Sequence, residues 1–386
     1  MALAVASVAC VASPQSETRV QRSDENGVEI VENLAGSIEA AATWRLAPAP
    51  EVSIGVPAGA EELQLFRVAD AATVGDQIVV ANAGTRELRW FDPTGAFLGA
   101  TGRAGEGPGE FGVPTRLWSR ADGGITVWDP RLRRLSFFGP DRSFQRMVVP
   151  NPPGSSTEPD LVALFADGSF VLADWLISMP DEGFAESVLE LSLHTLAGER
   201  VRDVASLPSV RMGHFESLSR AGRVLFDANA HAAGGASALW AGNGGQSEVT
   251  RYDSQGRPTR IIRWPAERRE IEPHHIDAHF QTRIENDPED ADLVDEIRRV
   301  QPVAGHFPEF EGLVAAETGE LWVMRYRPPA EQGGAAWLVF DDVGVLVATA
   351  ATPAGFAPFE IGSDYVLGAA LDDAGVERVV MYRLLR

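Results

Sequence analysis

The sequence predicts an all-β protein: a six-bladed β-propeller that is closed by an N-terminal strand and carries a small helical insertion between blades four and five. Gly (38 residues) and Pro (25 residues) are frequent in the 386-residue chain, which indicates many tight turns and few long helices. Short runs rich in Val, Ile, Leu and aromatic residues recur in similar units along the chain. Repeated units of four short strands, with ~40–50 residues each, are typical of propellers.

The six units share one internal order, in which short apolar strands alternate with turns made of Gly, Pro, Asp and Asn. Matching positions in successive units are 47, 55, 59, 88 and 42 residues apart. A single four-stranded sheet cannot bury both of its faces, so the units are expected to stack around a common axis. The matching positions are Phe91, Phe138, Leu193, Tyr252, Phe340 and Tyr382.

The N-terminal part of the chain is expected to complete this arrangement. The sixth unit has no fourth strand before Arg386, and Ala42–Leu46 reads as a spare strand that closes residues 36–386 into a ring. Residues 17–35 contain Asp24-Glu25-Asn26-Gly27 between two apolar runs, which is typical of a β-hairpin. We expect this hairpin to lie outside the ring.

Residues 1–16 indicate export. The only cysteine, Cys10, ends a run of small and apolar residues, as at the end of an export signal. The sequence SVAC that ends at Cys10 resembles a bacterial lipoprotein box, in which the cysteine becomes lipidated. We therefore expect an exported periplasmic or cell-envelope protein whose only membrane attachment is a lipid at Cys10. The alternative is an N-terminal segment without a targeting role.

The charge excludes several functions. All 33 basic residues are Arg, and 55 Asp and Glu give a net charge of −22. A chain without lysine has no P-loop lysine and no Schiff-base nucleophile. The negative field repels phosphate backbones, so we expect no nucleic-acid partner. A single cysteine also excludes an internal disulfide and a cysteine-based zinc site.

One junction between units resembles a known family. Residues 102–114 read GRAGEGPGEFGVP and follow WFDPTGAFLG. This combination of a Gly-rich turn, Glu before Phe, and a Pro that opens the next blade resembles the inter-blade motif of NHL-repeat propellers. The whole chain is similar to bacterial exported six-bladed propellers related to that group. The resemblance implies the propeller fold and leaves function open, because such proteins include binding modules, lyases and lactonase-like hydrolases.

The same junction supplies two candidates for a ligand-binding loop face, Glu110 and Phe111. The structural alternative is a tight turn in which glycines adopt positive φ and Phe111 fills the space between neighbouring blades. A weaker copy of the motif before the fifth unit adds His306 and Glu309. Both motifs stand between the last strand of one unit and the first strand of the next, so they are expected on the same face of the ring.

The long step of 88 residues exposes an insertion at 266–309, whose apolar spacing predicts two short helices. His275 and His279 are four residues apart and share one helix face, so they are candidate ligands for a divalent metal. The alternative is that both are partly exposed helix histidines without a role in metal binding. Calcium held by oxygen atoms in the central channel is a further possibility, although its ligands cannot be chosen from the sequence.

Two functions from different classes fit these observations. The first is an exported binding or scaffold module that recognises an envelope protein, a peptide or a glycan with its loop face. No catalytic template is present, since the chain has neither a GxSxG elbow nor a Cys–His pair, and this favours the first function. The second is a metal-dependent lyase or lactonase-like hydrolase that uses the central channel and a divalent ion such as Ca²⁺ or Zn²⁺.

Overall fold

The computed structural model describes residues 19–150, 158–215, 220–372 and 374–386. Strands dominate these residues, which confirms the predicted all-β class. Four strands precede the repeated units: β1 (Val20–Glu25), β2 (Val28–Asn33), β3 (Ala42–Leu46) and β4 (Val52–Ile54). A single helical turn, α1 (Ser37–Ala40), separates β2 from β3.

From residue 68 onwards, consecutive strands pair antiparallel in groups. The first group is β5 (Val68–Val74), β6 (Gln77–Asn82), β7 (Glu87–Phe91) and β8 (Phe97–Thr101). The second group is β9 (Arg116–Ser119), β10 (Ile125–Asp129), β11 (Arg134–Phe138) and β12 (Phe144–Val148). The third is β13 (Asp160–Leu164), β14 (Phe170–Leu176), β15 (Phe184–His194), β16 (Arg200–Phe215) and β17 (Arg220–Arg223).

The remaining groups continue in chain order. The fourth group is β18 (Ala230–Gly234), β19 (Leu239–Asn243), β20 (Glu248–Tyr252) and β21 (Pro258–Arg263). The fifth is β22 (Phe310–Ala315), β23 (Leu321–Arg325), β24 (Ala336–Phe340) and β25 (Leu346–Ala351). The last contains β26 (Phe356–Ile361), β27 (Tyr365–Leu371) and β28 (Glu377–Leu385).

A repeated aspartate turn joins the third and fourth strands of several groups. In the first group, Asp92 Oδ1 accepts hydrogen bonds from the backbone N–H groups of Thr94 and Ala96, at 2.8 and 2.9 Å. Gly95 has a φ of 85°, which a residue with a side chain adopts only at a cost. Asp341 closes the turn of the fifth group in the same way. The sequence pattern of Asp with Gly three residues later therefore fixes these hairpins.

The N-terminal hairpin extends one of the sheets. Its strand β2 runs parallel to β21, so β1 and β2 form the outer edge of a six-stranded sheet. Its apolar residues Ile30 and Val31 become buried there. Glu29 reinforces the pairing, since its carboxylate accepts a hydrogen bond from Arg260 at 2.7 Å.

The expected closure of the last unit by Ala42–Leu46 is not confirmed, although this strand lies between two groups of strands. This strand, β3, runs parallel to β25 and touches β28 only at Leu384 and Leu385. Its Trp44 packs against Trp322, with ring centroids 6.0 Å apart, which holds β3 against the fifth group. The fourth strand beside β28 is instead β4, which pairs antiparallel with residues 379–381. Both strands are short, so the sequence alone does not decide which of them lies beside β28.

The insertion between β21 and β22 contains two helices, α2 (Pro273–Asn286) and α3 (Ala291–Val300). Pro288–Asp290 forms a 3-10 turn between them. Phe280, Val294 and Ile297 are buried and pack with Phe226 and Phe307 in a small core of their own. The insertion is therefore held by apolar packing at one end of the sheets.

Apolar clusters lie between neighbouring groups of strands. One cluster joins the first and second groups through Phe111, Leu117 and Phe138. Another joins the first group to the last, because Ile78 and Phe91 pack with Val379. Residues on β4 belong to this last cluster as well. The first strands of neighbouring groups thus face one another around a shared interior.

Candidate functional site

A cavity of about 1090 Å³ lies among the first strands of the groups. Residues of β5, β9, β13, β18, β22 and β26 line it, and so do the turns that follow four of these strands. We call these turns (residues 120–122, 165–168, 235–238 and 316–319) the cavity end of the protein. A pocket of this size that mixes aromatic and charged side chains is the usual form of a small-molecule site.

Glu360, near the end of β26, is the centre of a hydrogen-bond network in the cavity wall. Its carboxylate accepts hydrogen bonds from the Thr73 hydroxyl at 2.6 Å and from the Tyr365 hydroxyl at 2.5 Å. The backbone N–H of Thr73 also donates to it. The Tyr365 hydroxyl lies 3.5 Å from Glu317, so a second carboxylate is close to the same network.

The charge state of this network is unusual. Burial and, to a smaller extent, the nearby charge of Glu317 raise the pKa of Glu360 to about 7, against the hydrogen bonds from Thr73 and Tyr365 that lower it. Burial also raises the pKa of Glu317. The pKa of Tyr365 is raised as well, first by burial and then by the Glu360 charge. Near neutral pH the network therefore holds a proton that can be given or taken.

Asp70 is another carboxyl group in the wall. It lies on β5 and is 6% exposed, with its oxygens accepting hydrogen bonds from the backbone N–H groups of Ala71 and Leu117 at 2.9 and 2.8 Å. Burial raises its pKa to about 7, although the charge of Arg116 and the two backbone donors act in the opposite direction. We call Asp70, Glu317 and Glu360 the acidic group of the cavity.

Arg116 begins β9 and stabilises this region. Its guanidinium donates to Asp160 on β13 at 3.2 Å and also interacts electrostatically with Asp70. The side chain of Arg116 keeps 44% of its surface open to solvent although protein atoms surround it densely. The ion pair links the first strands of two neighbouring groups.

Arginines and aromatic rings line another part of the cavity. Arg146 lies over the Phe137 ring, with Cζ 3.8 Å from the ring centroid, and Arg120 lies over the same ring at 5.7 Å. Arg251 lies over Trp240 at 5.8 Å. We call Arg120, Arg146 and Arg251 the arginine group. Aromatic faces hold a guanidinium by cation–π attraction and leave its N–H groups available to a ligand.

The predicted loop-face residues lie elsewhere. Glu110 and Glu309 precede β9 and β22, whereas the cavity end consists of turns that follow these strands. Because each strand runs from one end of its sheet to the other, both residues lie at the end opposite the cavity end. We call that end, with residues 266–309, the insertion end. The predicted loop face and the cavity turns are therefore not the same surface.

At the insertion end, Glu110 and Phe111 serve local structure. Glu110 accepts hydrogen bonds from the Gly107 N–H at 2.8 Å and from Arg103 at 2.8 Å, and these contacts lower its pKa. Phe111 is fully buried against Phe138, with ring centroids 5.8 Å apart. Phe111 therefore fills the space between two groups, as the structural alternative held.

His306 and Glu309 lie beside the insertion. His306 is exposed and forms a single β-bridge with Glu270. Glu309 accepts a hydrogen bond from the backbone N–H of Glu267 at 3.2 Å. Neither side chain lines the cavity. Their assignment to a ligand face stays a prediction.

The two candidate metal ligands, His275 and His279, both lie on α2. The ring Nδ1 of His275 accepts a hydrogen bond from the Glu272 N–H at 3.0 Å and so caps the helix start. His279 packs edge-on against Phe226, and burial lowers its pKa, with the Arg283 charge as a smaller cause. Among the residues that the structure describes, no three His, Cys, Asp or Glu side chains come together as a metal site.

The sequence contains a signal for residues that line the cavity, namely a charged residue within an apolar first strand. Asp70 and Glu360 are charged positions within otherwise apolar first strands, VADAATV and FAPFEI. A charged residue in the innermost strand of a repeated unit cannot enter the apolar clusters between units. It therefore has to face the shared interior, and this reasoning could have selected both residues.

No family model matches the chain, and no curated protein matches its sequence. The resemblance to NHL-repeat propellers thus stays a prediction. Within the described residues, no helix is long and apolar enough to cross a membrane. Cys10 and the rest of residues 1–16 lie outside the described residues.

Several solved structures are similar to this one. A Bacteroides fragilis protein described as exported has 13% sequence identity and a TM-score of 0.48, and the match covers 89% of this chain and 95% of that one. A DUF4221 family member from Bacteroides vulgatus has 11% identity and a TM-score of 0.48, covering 89% and 98%. Virginiamycin B lyase from Staphylococcus aureus has 10% identity and a TM-score of 0.41, covering 89% and 94%. Similarity at this level does not carry a function from one protein to another.

Proposed function

We propose that this protein is an exported binding protein that holds a glycan fragment in its central cavity. The observation that carries this proposal is a 1090 Å³ cavity whose wall combines aromatic rings, carboxyl groups and arginines. Sugars present apolar ring faces and many hydroxyl groups, so they need stacking surfaces together with hydrogen-bond donors and acceptors. The partly exposed ring of Trp118 supplies the first, and the acidic group supplies the second.

The acidic group suits hydroxyl recognition because of its protonation. A carboxyl group with a pKa of about 7, as for Asp70 and Glu360, is present in both forms near neutral pH. It can therefore donate a hydrogen bond to one hydroxyl and accept one from another. A folded protein partner is too large for the cavity, and a peptide is an alternative that the experiment below distinguishes.

The proposal includes the architecture and the location. We take the six groups as six propeller blades, with β4 as the outer strand of the last blade in place of β3. The cluster that joins the first and last groups supports a closed ring. Export with a lipid at Cys10 belongs to the same proposal, and a Cys10→Ser variant tests it by loss of lipid labelling and release from the membrane fraction.

The binding experiment uses two glycines as matched positions. Gly235 lines the cavity, and Gly305 lies beside His306 at the insertion end. A side chain added at either glycine meets open space, and neither glycine has a positive φ. Gly235→Trp therefore fills part of the cavity without backbone strain, and Gly305→Trp makes the same change at the predicted loop face.

Trisaccharides and tripeptides are added to each protein, and the melting temperature and calorimetric heat are recorded. We expect at least one trisaccharide to bind wild type and Gly305→Trp equally, and Gly235→Trp at least tenfold more weakly. A ligand at 100 times its Kd stabilises the folded state by about 2.7 kcal/mol, which a thermal shift detects. Binding that survives in Gly235→Trp, or binding of tripeptides alone, would overturn the proposal.

Catalysis in the same cavity is the second candidate, because Glu360, Tyr365 and Thr73 form a proton-holding network in its wall. A glycan that binds would then be cleaved, with Glu360 as the group that moves the proton. Glu360→Gln keeps the size of the side chain and removes its titration. Turnover of a bound trisaccharide that is lost in Glu360→Gln, while binding remains, supports this role. Metal analysis of the purified protein tests the separate prediction at His275 and His279.

A further inference from the structure

Two members of the arginine group, Arg146 and Arg251, differ from most arginines nearby because neither forms an ion pair within the described residues. On β20 and the two segments that follow, Arg257 pairs with Asp253 at 2.8 Å, Arg260 with Glu29 at 2.6 Å and Arg263 with Glu248 at 2.6 Å. Arg251 makes no ion pair within the described part of the chain, and its Nη1 donates to the Thr259 hydroxyl at 3.2 Å. Asp342 and Asp253 act on it only electrostatically. Carboxylates outnumber arginines 55 to 33, so this lack is informative.

Arg146 shows the same feature more strongly. Its guanidinium stacks on Phe137 at 3.8 Å, and no carboxylate of the described residues forms an ion pair with it. Arg120 lies over the same ring and adds a second positive charge, although it also pairs with Asp122 at 2.5 Å. Burial lowers the pKa of Arg146, and the Arg120 charge lowers it further. Two like charges on one ring repel each other, and a bound anion would relieve this repulsion.

Aromatic stacking also fixes the direction of these guanidiniums. A guanidinium that lies flat on a ring keeps its N–H groups at its edge, where they can bind a carboxylate or sulfate with two parallel hydrogen bonds. Arg146 and Arg251 come from different groups of strands and line the same cavity. Each can therefore hold one anionic group of an extended ligand.

From this arrangement we infer that the glycan bound in the cavity is acidic, with carboxylate or sulfate groups held by Arg146 and Arg251. The inference rests on the proposed glycan function and adds its chemical class. The sugar hydroxyls then face the acidic group, so positive and negative parts of the wall recognise different parts of one ligand. The strongly negative protein surface repels such ligands at long range, and the arginine group provides the local attraction.

Matched pairs of trisaccharides test the inference. Galactose, glucose and mannose trimers are compared with the corresponding uronic acid trimers, with the methyl esters of those acids, and with sulfated neutral trimers. Calorimetry is repeated for wild type, Arg146→Gln and Arg251→Gln. Arg202→Gln is the control, because it removes one charge from an exposed position on β16.

We expect the tightest ligand to be anionic and its methyl ester to bind at least tenfold more weakly. Arg146→Gln and Arg251→Gln should each weaken the anionic ligand about tenfold, as for loss of a charge-assisted hydrogen bond. Both should weaken neutral trimers by less than they weaken the anionic ligand, whereas Arg202→Gln should leave every ligand within about twofold. Tighter binding of a uronic acid than of a sulfated trimer identifies the carboxylate, and the reverse identifies the sulfate.

The outcomes separate the two proposals. A neutral trimer that binds as tightly as its acidic counterpart overturns the acidic class and leaves the cavity function standing. Equal effects of Arg146→Gln and Arg202→Gln on the anionic ligand do the same. If no trimer binds wild type, both proposals fail together.

Discussion

The cavity end and the insertion end of this protein contain similar residue types in different situations. At the insertion end, histidines and aromatic rings contact one another: His279 packs on Phe226, and Phe307 stacks on Tyr326 with ring centroids 5.4 Å apart. At the cavity end, Arg146 lies on Phe137 and Arg251 lies on Trp240, and neither arginine forms an ion pair within the described residues. Residue type alone does not identify a site. The contacts that a residue has already made decide whether it can bind a ligand.

The ends also differ in how their titratable groups respond to pH. At the cavity end, burial raises the pKa of Asp70 and Glu360, so protonation favours the folded state. At the insertion end, burial lowers the pKa of His279, so loss of its proton favours the folded state. Three substitutions test this comparison, beginning with the one that should change the free energy of unfolding most.

Phe280→Ala should have the largest effect on stability. Phe280 is 1% exposed at the centre of the insertion core, and truncating a buried phenylalanine costs about 3–5 kcal/mol. Denaturant unfolding measures this loss. Phe66→Ala is the control, because Phe66 is 51% exposed and its loss should change the free energy of unfolding by less than about 0.5 kcal/mol.

Ligand binding in the same variant sharpens the comparison. If the insertion end is a separate packing unit, Phe280→Ala should keep its glycan affinity under conditions in which it is folded. Loss of affinity in the folded variant would show that the two ends are not independent.

Glu360→Gln should change the pH dependence of stability at the cavity end. The folded-state pKa of Glu360, about 7, lies above its usual value of 4.5. Its contribution to stability is therefore complete below pH 4.5 and is lost as the pH rises through 7, by roughly 2–3 kcal/mol. Glu360→Gln should lack this part of the loss when unfolding is followed from pH 4 to 8.

Asp372 provides a control of opposite sign. Hydrogen bonds from Val376 and other donors lower the pKa of this exposed carboxyl group, so it stabilises the fold only above its unfolded-state pKa. Asp372→Asn should leave the loss of stability between pH 4.5 and 7 unchanged. A wild-type stability that is flat over this interval would contradict the assignment of Glu360.

His279→Phe should have the smallest effect, with the pH direction reversed. The folded-state pKa of His279 lies below its usual value of 6.5, so its contribution is present above pH 6.5 and is lost as the pH falls through the folded-state pKa. The half-buried position limits the effect to less than about 1 kcal/mol. Hydrogen exchange of α2 at pH 5 and pH 7 measures it, with the exposed His274 changed to Gln as control.

The fold class could be predicted from the sequence because each short strand carries a local signal. Alternation of apolar runs with turns such as Asp92-Pro-Thr-Gly95 depends on neighbouring residues alone, and the structure confirms an all-β chain. The sheet that an isolated strand joins cannot be predicted from such local signals. Ala42–Leu46 and Val52–Ile54 are both short and apolar, and only tertiary packing of Trp44 on Trp322 decides which strand lies beside which sheet.

Most residues of the cavity could not be identified from the sequence, and the reason is physical. Motifs such as GPGEF and paired histidines are contiguous in sequence, so they are easy to find. The cavity wall takes single residues from strands far apart in the chain, as with Thr73 and Glu360, which are 287 positions apart. Such a site follows from the sequence only after the innermost strand of every unit is known.

The N-terminal segment has a consequence for how the chain is made. Its strands β2, β3 and β4 pair with β21, β25 and β28, which are the outer strands of three successive groups. During synthesis, β2, β3 and β4 are made before their partner strands, which lie more than 200 positions downstream. Strand pairs this distant in sequence form slowly, so we expect completion of these three outer edges to limit the folding rate.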